Sequence, residues 1–182
     1  NTYHLYLRPG LDVIKEFDGL HKFINWNKVI LTDSGGFQGW SIPNKFNDEG
    51  IEFKNIYDGS KFFMDPILSM DIQQTLNSDI AMILDSLIDI NKEYDQQLQA
   101  IDTTKKWAQI ARDYHTNENQ SLFGIVQGGK HKELREKSAI DMLTIDFDGY
   151  AIGGLAIGET PTERKDIVSF TVDMLPEDKL RY

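Results

Sequence analysis

A chain of 182 residues with 40% hydrophobic and 11% aromatic side chains is long enough for one sizeable core and too apolar to be disordered. Its apolar runs are strand-sized, far short of the roughly 18 residues of a membrane span, and no signal-peptide pattern opens it, so the expected protein is cytoplasmic with no membrane partner. The formal charge of −10, from 19 Lys and Arg against 29 Asp and Glu, weighs against a nucleic-acid surface, while zero cysteines exclude disulfides and thiolate metal sites.

In chain order, residues 1–10 are polar and aromatic and end in Pro9-Gly10, and residues 11–17 form a short helix that Asp18-Gly19 breaks. Residues 28–32 read as a buried strand. It delivers Asp33 to its C-terminal end, followed by Ser34 and the pair Gly35-Gly36, which lets the backbone approach a ligand closely. Over residues 41–63 the pattern changes: Ile51-Glu52-Phe53-Lys54 alternates, Asp58-Gly59 is a turn dipeptide and Lys61-Phe62-Phe63 resumes, which predicts a β-hairpin excursion. Asp65-Pro66 then starts a helix whose apolar face is Leu68, Ile72, Thr75 and Leu76.

A second buried strand, residues 80–84, ends at Asp85. The long helix predicted over residues 91–115 repeats Tyr94, Leu98, Ile101, Ala108, Ala111 and Tyr114 at helical spacing, an arrangement expected of a core face. Residues 122–126 form a third strand that stops at Gln127-Gly128-Gly129, and the next helix packs through Leu134, Met142 and Leu143. A fourth strand, residues 149–152, stops at Gly153-Gly154. Thr160-Pro161-Thr162-Glu163 is a capping box for a helix carrying Ile167, Phe170 and Met174, and Leu180-Arg181-Tyr182 looks like the opening of a fifth strand. With Asn1 rather than Met in front, both ends look cut.

Apolar strands alternating with amphipathic helices indicate parallel βαβ units. The fold is therefore α/β, either an open doubly wound sheet or part of a (β/α)8 barrel; such a barrel usually needs about 250 residues, so this chain would hold a single, incomplete segment. Its unpaired sheet edges predict poor stability or association of the chain alone. In either architecture ligands bind at the C-terminal strand ends, where Asp33, Asp85, Gln127 and Gly154 all fall.

That rim offers two carboxylates, a carboxamide, two glycine pairs and Phe37, with no phosphate fingerprint. A planar heterocycle fits it better. A guanine-like edge presents two adjacent N–H donors that Asp85 accepts, its carbonyl takes donors from Gln127 and a backbone N–H near Gly154, and Phe37 stacks on the ring. Singly, each residue reads equally as a cap, a turn or core. Their joint appearance at strand ends is what points to a nucleobase site.

Beyond this, Asn1-Thr2-Tyr3-His4-Leu5, Leu7-Arg8-Pro9-Gly10, Leu31-Thr32-Asp33-Ser34-Gly35-Gly36-Phe37-Gln38, Phe123-Gly124-Ile125-Val126-Gln127-Gly128-Gly129 and the run from Gly149-Tyr150 through Gly153-Gly154-Leu155 to Gly158-Glu159 resemble, in order and over the whole chain, the tRNA-guanine transglycosylases (queuine tRNA-ribosyltransferases). The resemblance implies a partial (β/α)8 TIM barrel from a pentosyltransferase. That enzyme exchanges guanine at the tRNA wobble position for a 7-deazaguanine base, preQ1 or queuine, in queuosine modification. It implies Asp33 as proton acceptor, and a substrate site of Asp33, Ser34, Gly35, Gly36, Phe37, Asp85, Gln127, Gly154, Leu155 and Glu159, the last two near the 7-substituent.

It further implies that the nucleophilic aspartate, one structural zinc and a basic RNA-binding segment lie downstream of Tyr182. The chain alone is then expected to hold no cofactor or metal and to be inactive, and the complete protein to be a homodimer. Where bacterial-type members follow the base-binding Asp with Glu-Cys and a proline-rich segment, Asp85 is followed by Ser86-Leu87-Ile88-Asp89, which leaves the incoming base open. Two other readings stand beside it: a non-catalytic partner subunit that binds base or dimerises, and an α/β enzyme acting on free purines.

Overall fold

The computed structural model describes residues 1–42 and 44–182. Three short helices, α1 (Thr2–Leu7), α2 (Leu11–Glu16) and α3 (Leu20–Phe23), precede β1 (Leu31–Thr32) and α4 (Gly36–Ser41). Then come β2 (Asn44–Asn47), β3 (Gly50–Lys54), β4 (Lys61–Met64), α5 (Pro66–Leu76), β5 (Ile80–Met82), α6 (Tyr94–Tyr114), β6 (Ser121–Val126), α7 (Lys132–Ile145), β7 (Gly149–Ile152), α8 (Pro161–Val172) and β8 (Leu180–Arg181).

The main sheet has the order β1-β5-β6-β7-β8 and every neighbouring pair is parallel. Each βα unit thus adds its strand on the same side of the last, with no reversal of order. A doubly wound sheet reverses at its switch point, whereas a (β/α)8 barrel does not. The sheet is a TIM-barrel segment, and within the described residues β1 and β8 are its outer strands.

The predicted hairpin is present as β3 and β4, and β2 extends it into a three-stranded antiparallel sheet, with Asn44 opposite Phe53 and Ile51 opposite Met64. β2 gave no signal because its sequence, Asn-Lys-Phe-Asn, is mostly exposed. The turn into β3 is built by Asn47, whose side-chain oxygen accepts from the backbone N–H groups of Glu49 and Gly50 at 2.8 and 3.0 Å.

Two apolar clusters hold these layers. Met82, Ile83, Leu122, Val126 and Tyr150 of the strand region pack with Ala108 and Ala111 of α6 and Ala139 and Met142 of α7. Tyr3, Ile14, Phe53, Met64, Ile72, Leu76 and Trp107 join the N-terminal helices to the antiparallel sheet and α5. Asp65 caps α5 by accepting from Leu68 N–H at 2.7 Å, with Pro66 in the first turn. At α8, Thr160 and Glu163 close a reciprocal capping box.

Three expectations change. The first strand is only two residues long, since its pairing with β5 stops after Thr32, and Val29, which precedes the strand, is 69% exposed. What stops it is Gln73 of α5: its Oε1 accepts from Met82 N–H at 3.0 Å and its Nε2 donates to Met82 O at 2.9 Å, taking the place a longer β1 would occupy. The long helix begins at Tyr94 rather than residue 91, since Asp89 draws residues 89–92 into a turn by accepting from Asn91 N–H at 2.8 Å. On that helix Tyr94 and Tyr114 lie partly in solvent rather than in the core.

Candidate functional site

Four chain segments leave the C-terminal ends of β1, β5, β6 and β7, and they meet around a cavity of about 430 Å³, within the size range of small-molecule sites. Asp33 and Asp85 line it together with Ser34, Gly36 and Phe37 on one side and Gly154 and Leu155 on the other. Met82 and Ile125 form an apolar floor, and Leu87 and Tyr182 complete the wall. A larger groove of about 660 Å³, between Arg112, Asn117 and Asp148, lies at the opposite, N-terminal end of the strands, where barrel enzymes do not carry their chemistry.

Gln73 also explains how Asp33 reaches the rim. With Met82 already paired, the chain leaves the ladder after Thr32; Thr2 N–H donates to Asp33 O at 3.1 Å and Ser69 Oγ to Ser34 O at 3.0 Å, so the backbone turns away while the Asp33 side chain stays exposed at the cavity. Gly35 lies behind this turn, where a Cβ would meet Met64 and Thr2 at 3.0 Å. α4 then starts at Gly36 and carries Phe37, 50% exposed, whose ring lies 5.6 Å from that of Trp40.

Asp85 is buried, and its Oδ2 accepts from the side-chain amide of Gln127. Removal from water, together with the Asp33 charge and against the Gln127 hydrogen bond, pushes the Asp85 carboxyl up to about 6. Two glycines make this contact possible. A Cβ on Gly36 would overlap Asp85 Oδ1, and one on Gly154, which sits at φ +68°, would come within 2.6 Å of Gln127 Oε1. Gln127 is itself buried behind the cavity surface, with its N–H donating to Ser138 Oγ at 3.0 Å.

Glu159 is placed differently. Its carboxylate turns under the loop after β7, accepting from Ala156 N–H at 2.6 Å, Ile157 N–H at 3.1 Å and Arg164 Nε at 2.5 Å. Burial works against its charge, but the Arg164, Ala156 and Ile157 bonds prevail and hold the carboxyl down to about 2. It thereby supports Ala156 in a left-handed conformation at φ +62°. Its carboxylate is an anchor for the Leu155 loop, and the cavity surface at this point is Leu155 and Ala156.

Of the residues singled out from sequence, Asp33, Ser34, Gly36, Phe37, Asp85, Gly154 and Leu155 therefore share one cavity, while Gly35, Gln127 and Glu159 back it. Tyr182, Ser138 and Arg135 were missed; only Tyr182 had a signal, its position just after an incipient strand. The zinc implied by the resemblance finds no seat in these residues: the chain has no cysteine, and among the described residues no three His, Asp or Glu side chains cluster as ligands. Among the same residues no helix is long and apolar enough to cross a membrane.

A family model described as queuine tRNA-ribosyltransferase matches residues 1–182. Proteins named queuine tRNA-ribosyltransferase from Bacillus pumilus, Staphylococcus aureus and Thermotoga neapolitana are 48%, 50% and 49% identical, each over 100% of this chain and over 49%, 49% and 50% of their own lengths. The chain spans about half the length of the curated relatives it matches. A match along its entire length, on top of a barrel segment with its polar side chains gathered at the C-terminal strand ends, places the chain in the queuine tRNA-ribosyltransferase family.

Proposed function

We propose that this chain is the base-binding portion of an enzyme that exchanges guanine at the tRNA wobble position for a 7-deazaguanine base, preQ1 or queuine. The observation that carries the proposal is the contact between Asp85 and Gln127 in a cavity bounded by Asp33, Phe37 and Leu155. Without a base, the buried Asp85 carboxylate and Gln127 amide satisfy each other. A guanine-like edge offers Asp85 two N–H donors in place of one amide. Gln127 is thereby released, and its Nε2 donates to the base carbonyl beside the Gly154 N–H.

Phe37 covers the ring face, and Leu87 and Leu155 give the wall an apolar character. In the exchange, an aspartate outside this chain attacks the ribose C1′ and the C1′–guanine bond breaks, the departing ring nitrogen taking a proton from the Asp33 carboxyl, which leaves a ribosyl ester, neutral guanine and an ionised Asp33. The incoming base then attacks C1′ through its ring nitrogen, the ester bond breaks, and the N–H proton passes to Asp33. Reaching that carbon requires the wobble base to leave the anticodon stack, and a cavity that opens to solvent at Asp33 and Phe37 can receive it.

Family resemblance supports the remaining features: a homodimer, one structural zinc and a cytoplasmic site of action. The acidic charge of this chain is compatible with tRNA binding if the phosphate contacts are made mainly by the rest of the protein. The deciding experiment is incorporation of labelled guanine into tRNA by the protein encoded by the complete gene. Asp33→Asn and Asp85→Ala are each expected to reduce incorporation by at least about a hundredfold, as loss of a proton acceptor or of a charged hydrogen-bond partner does. Full activity in both variants would refute the site.

A further inference from the structure

We propose that Arg135 and Ser138, one helical turn apart on α7, are positioning residues for the corner that receives the base carbonyl. The inference rests on the function proposed above. Arg135 is 1% exposed, yet among the described residues its guanidinium has no carboxylate within hydrogen-bonding distance; it is spent on main-chain carbonyls at the ends of β6 and β7. Nε donates to Gly129 O at 3.0 Å, and Nη1 to Val126 O at 3.2 Å and to Gly153 O at 2.8 Å. Val126 O also accepts from Gly153 N–H at 2.9 Å.

These carbonyls bracket the carbonyl-binding groups. Val126 precedes Gln127, Gly129 follows it by two residues, and Gly153 precedes Gly154. Ser138 holds the remaining handle, accepting from Gln127 N–H at 3.0 Å. From α7, two side chains thus set both the backbone of Gln127 and the height of Gly154 relative to it. The remaining nitrogen, Nη2, is buried without a hydrogen-bond partner among the described residues and lies 3.5 Å from where a Cβ on Gly154 would stand. Burial lowers the Arg135 guanidinium to about 10. A buried charge of this kind is costly to keep; the Glu159 charge offsets part of that cost, and the three carbonyls are what the guanidinium serves.

The planar fork is what the arrangement requires. A lysine carries one compact cation on a flexible stem and cannot hold carbonyls of the β6 and β7 loops in one plane. Loss of the fork lets Gln127 and Gly154 move independently, which weakens the base and leaves the RNA contacts untouched.

The test uses the complete protein, with guanine and tRNA varied separately in the labelled-guanine assay and thermal unfolding followed in parallel. Arg135→Lys is expected to raise KM for guanine about tenfold and Ser138→Ala about threefold, the loss of one or two hydrogen bonds, with KM for tRNA within twofold of wild type. A role limited to folding would lower the active fraction and leave KM for guanine unchanged; that result in folded Arg135→Lys and in Ser138→Ala overturns the proposal. If Arg135→Lys does not fold, Ser138→Ala decides it alone. If the wild-type protein exchanges no guanine but binds it in a calorimeter, the functional reading fails while the positioning role is still judged by the same variants' guanine affinity. Absence of both exchange and guanine binding overturns both.

Discussion

Gln127 donates its side-chain amide to the Asp85 carboxylate across the back of the cavity, in a space that exists because residue 36 is glycine. Asp85 is thus both buried and poised, and its carboxyl is pushed up to about 6 by desolvation and by the neighbouring Asp33 charge, against the Gln127 bond. Only the ionised form accepts two N–H donors from a base. KM for guanine is therefore expected to be level above neutral pH and to rise about tenfold per unit as pH falls below 6. Initial-rate measurements between pH 5 and 8 at saturating tRNA check this, and a flat guanine KM across that range would refute it.

The same residue burdens the fold. Because the folded-state value lies above that of the unfolded chain, the folded protein binds the extra proton between about pH 4 and 6, and stability falls as pH rises through that window. Above it the penalty is constant, on the order of 2 to 3 kcal/mol. Asp85→Asn keeps the shape and removes the charge, so it is expected to raise the unfolding midpoint at pH 8 and to change it little at pH 4. Equal shifts at both pH values would show that burial of the charge is not the cost.

How much of this was legible beforehand follows from where each residue sits. β5, β6 and β7 are interior strands covered on both faces, so their sequences are continuous apolar runs that end visibly at Asp85, Gln127 and Gly153. β1 is an outer strand shortened by a glutamine 41 residues further on, and no local pattern announces that a Gln73 side chain will occupy the place of a strand. Nothing in the local sequence of α7 marks Arg135, because its burial depends on the Gly128-Gly129 turn bringing α7 onto the strand ends. The Glu159 carboxylate is turned inward by Arg164, a partner five residues away across a helix start. Local periodicity reads strands and caps, whereas these three placements are long-range or loop-determined.

The two glycines that accommodate Asp85 and Gln127 separate sterics from backbone strain. Gly36→Ala puts a methyl group onto Asp85 Oδ1 without any unusual φ at that position, so its effect is expected mainly in base binding, a rise in guanine KM of about tenfold or more as the carboxylate is displaced. Gly154→Ala adds the cost of a left-handed residue, about 1 kcal/mol, and crowds Gln127, so it is expected to lower both stability and guanine affinity. Paired melts and guanine KM values distinguish the two; an unchanged KM in Gly36→Ala would mean that Asp85 does not receive the base.

Glu159 anchors the loop after β7 through three donors, and its carboxyl is held down to about 2 by Arg164 and the Ala156 and Ile157 N–H groups despite burial. A depressed carboxyl contributes stability that is complete above the unfolded value near 4.5 and is lost as pH falls toward 2. Glu159→Ala leaves two backbone N–H groups and a guanidinium without their acceptor, and a destabilisation of roughly 1 to 3 kcal/mol at pH 7 is expected. The left-handed backbone of Ala156 then has nothing to hold it. Ala156→Gly relieves that strain, and in the Glu159→Ala background it is expected to recover up to about 1 kcal/mol. Thermal unfolding of the two single variants and the double variant at pH 7 and pH 3 measures the coupling. Purely additive effects would show that Glu159 and the Ala156 conformation are independent; a smaller Glu159→Ala loss at pH 3 than at pH 7 would confirm that the charge itself carries the anchor.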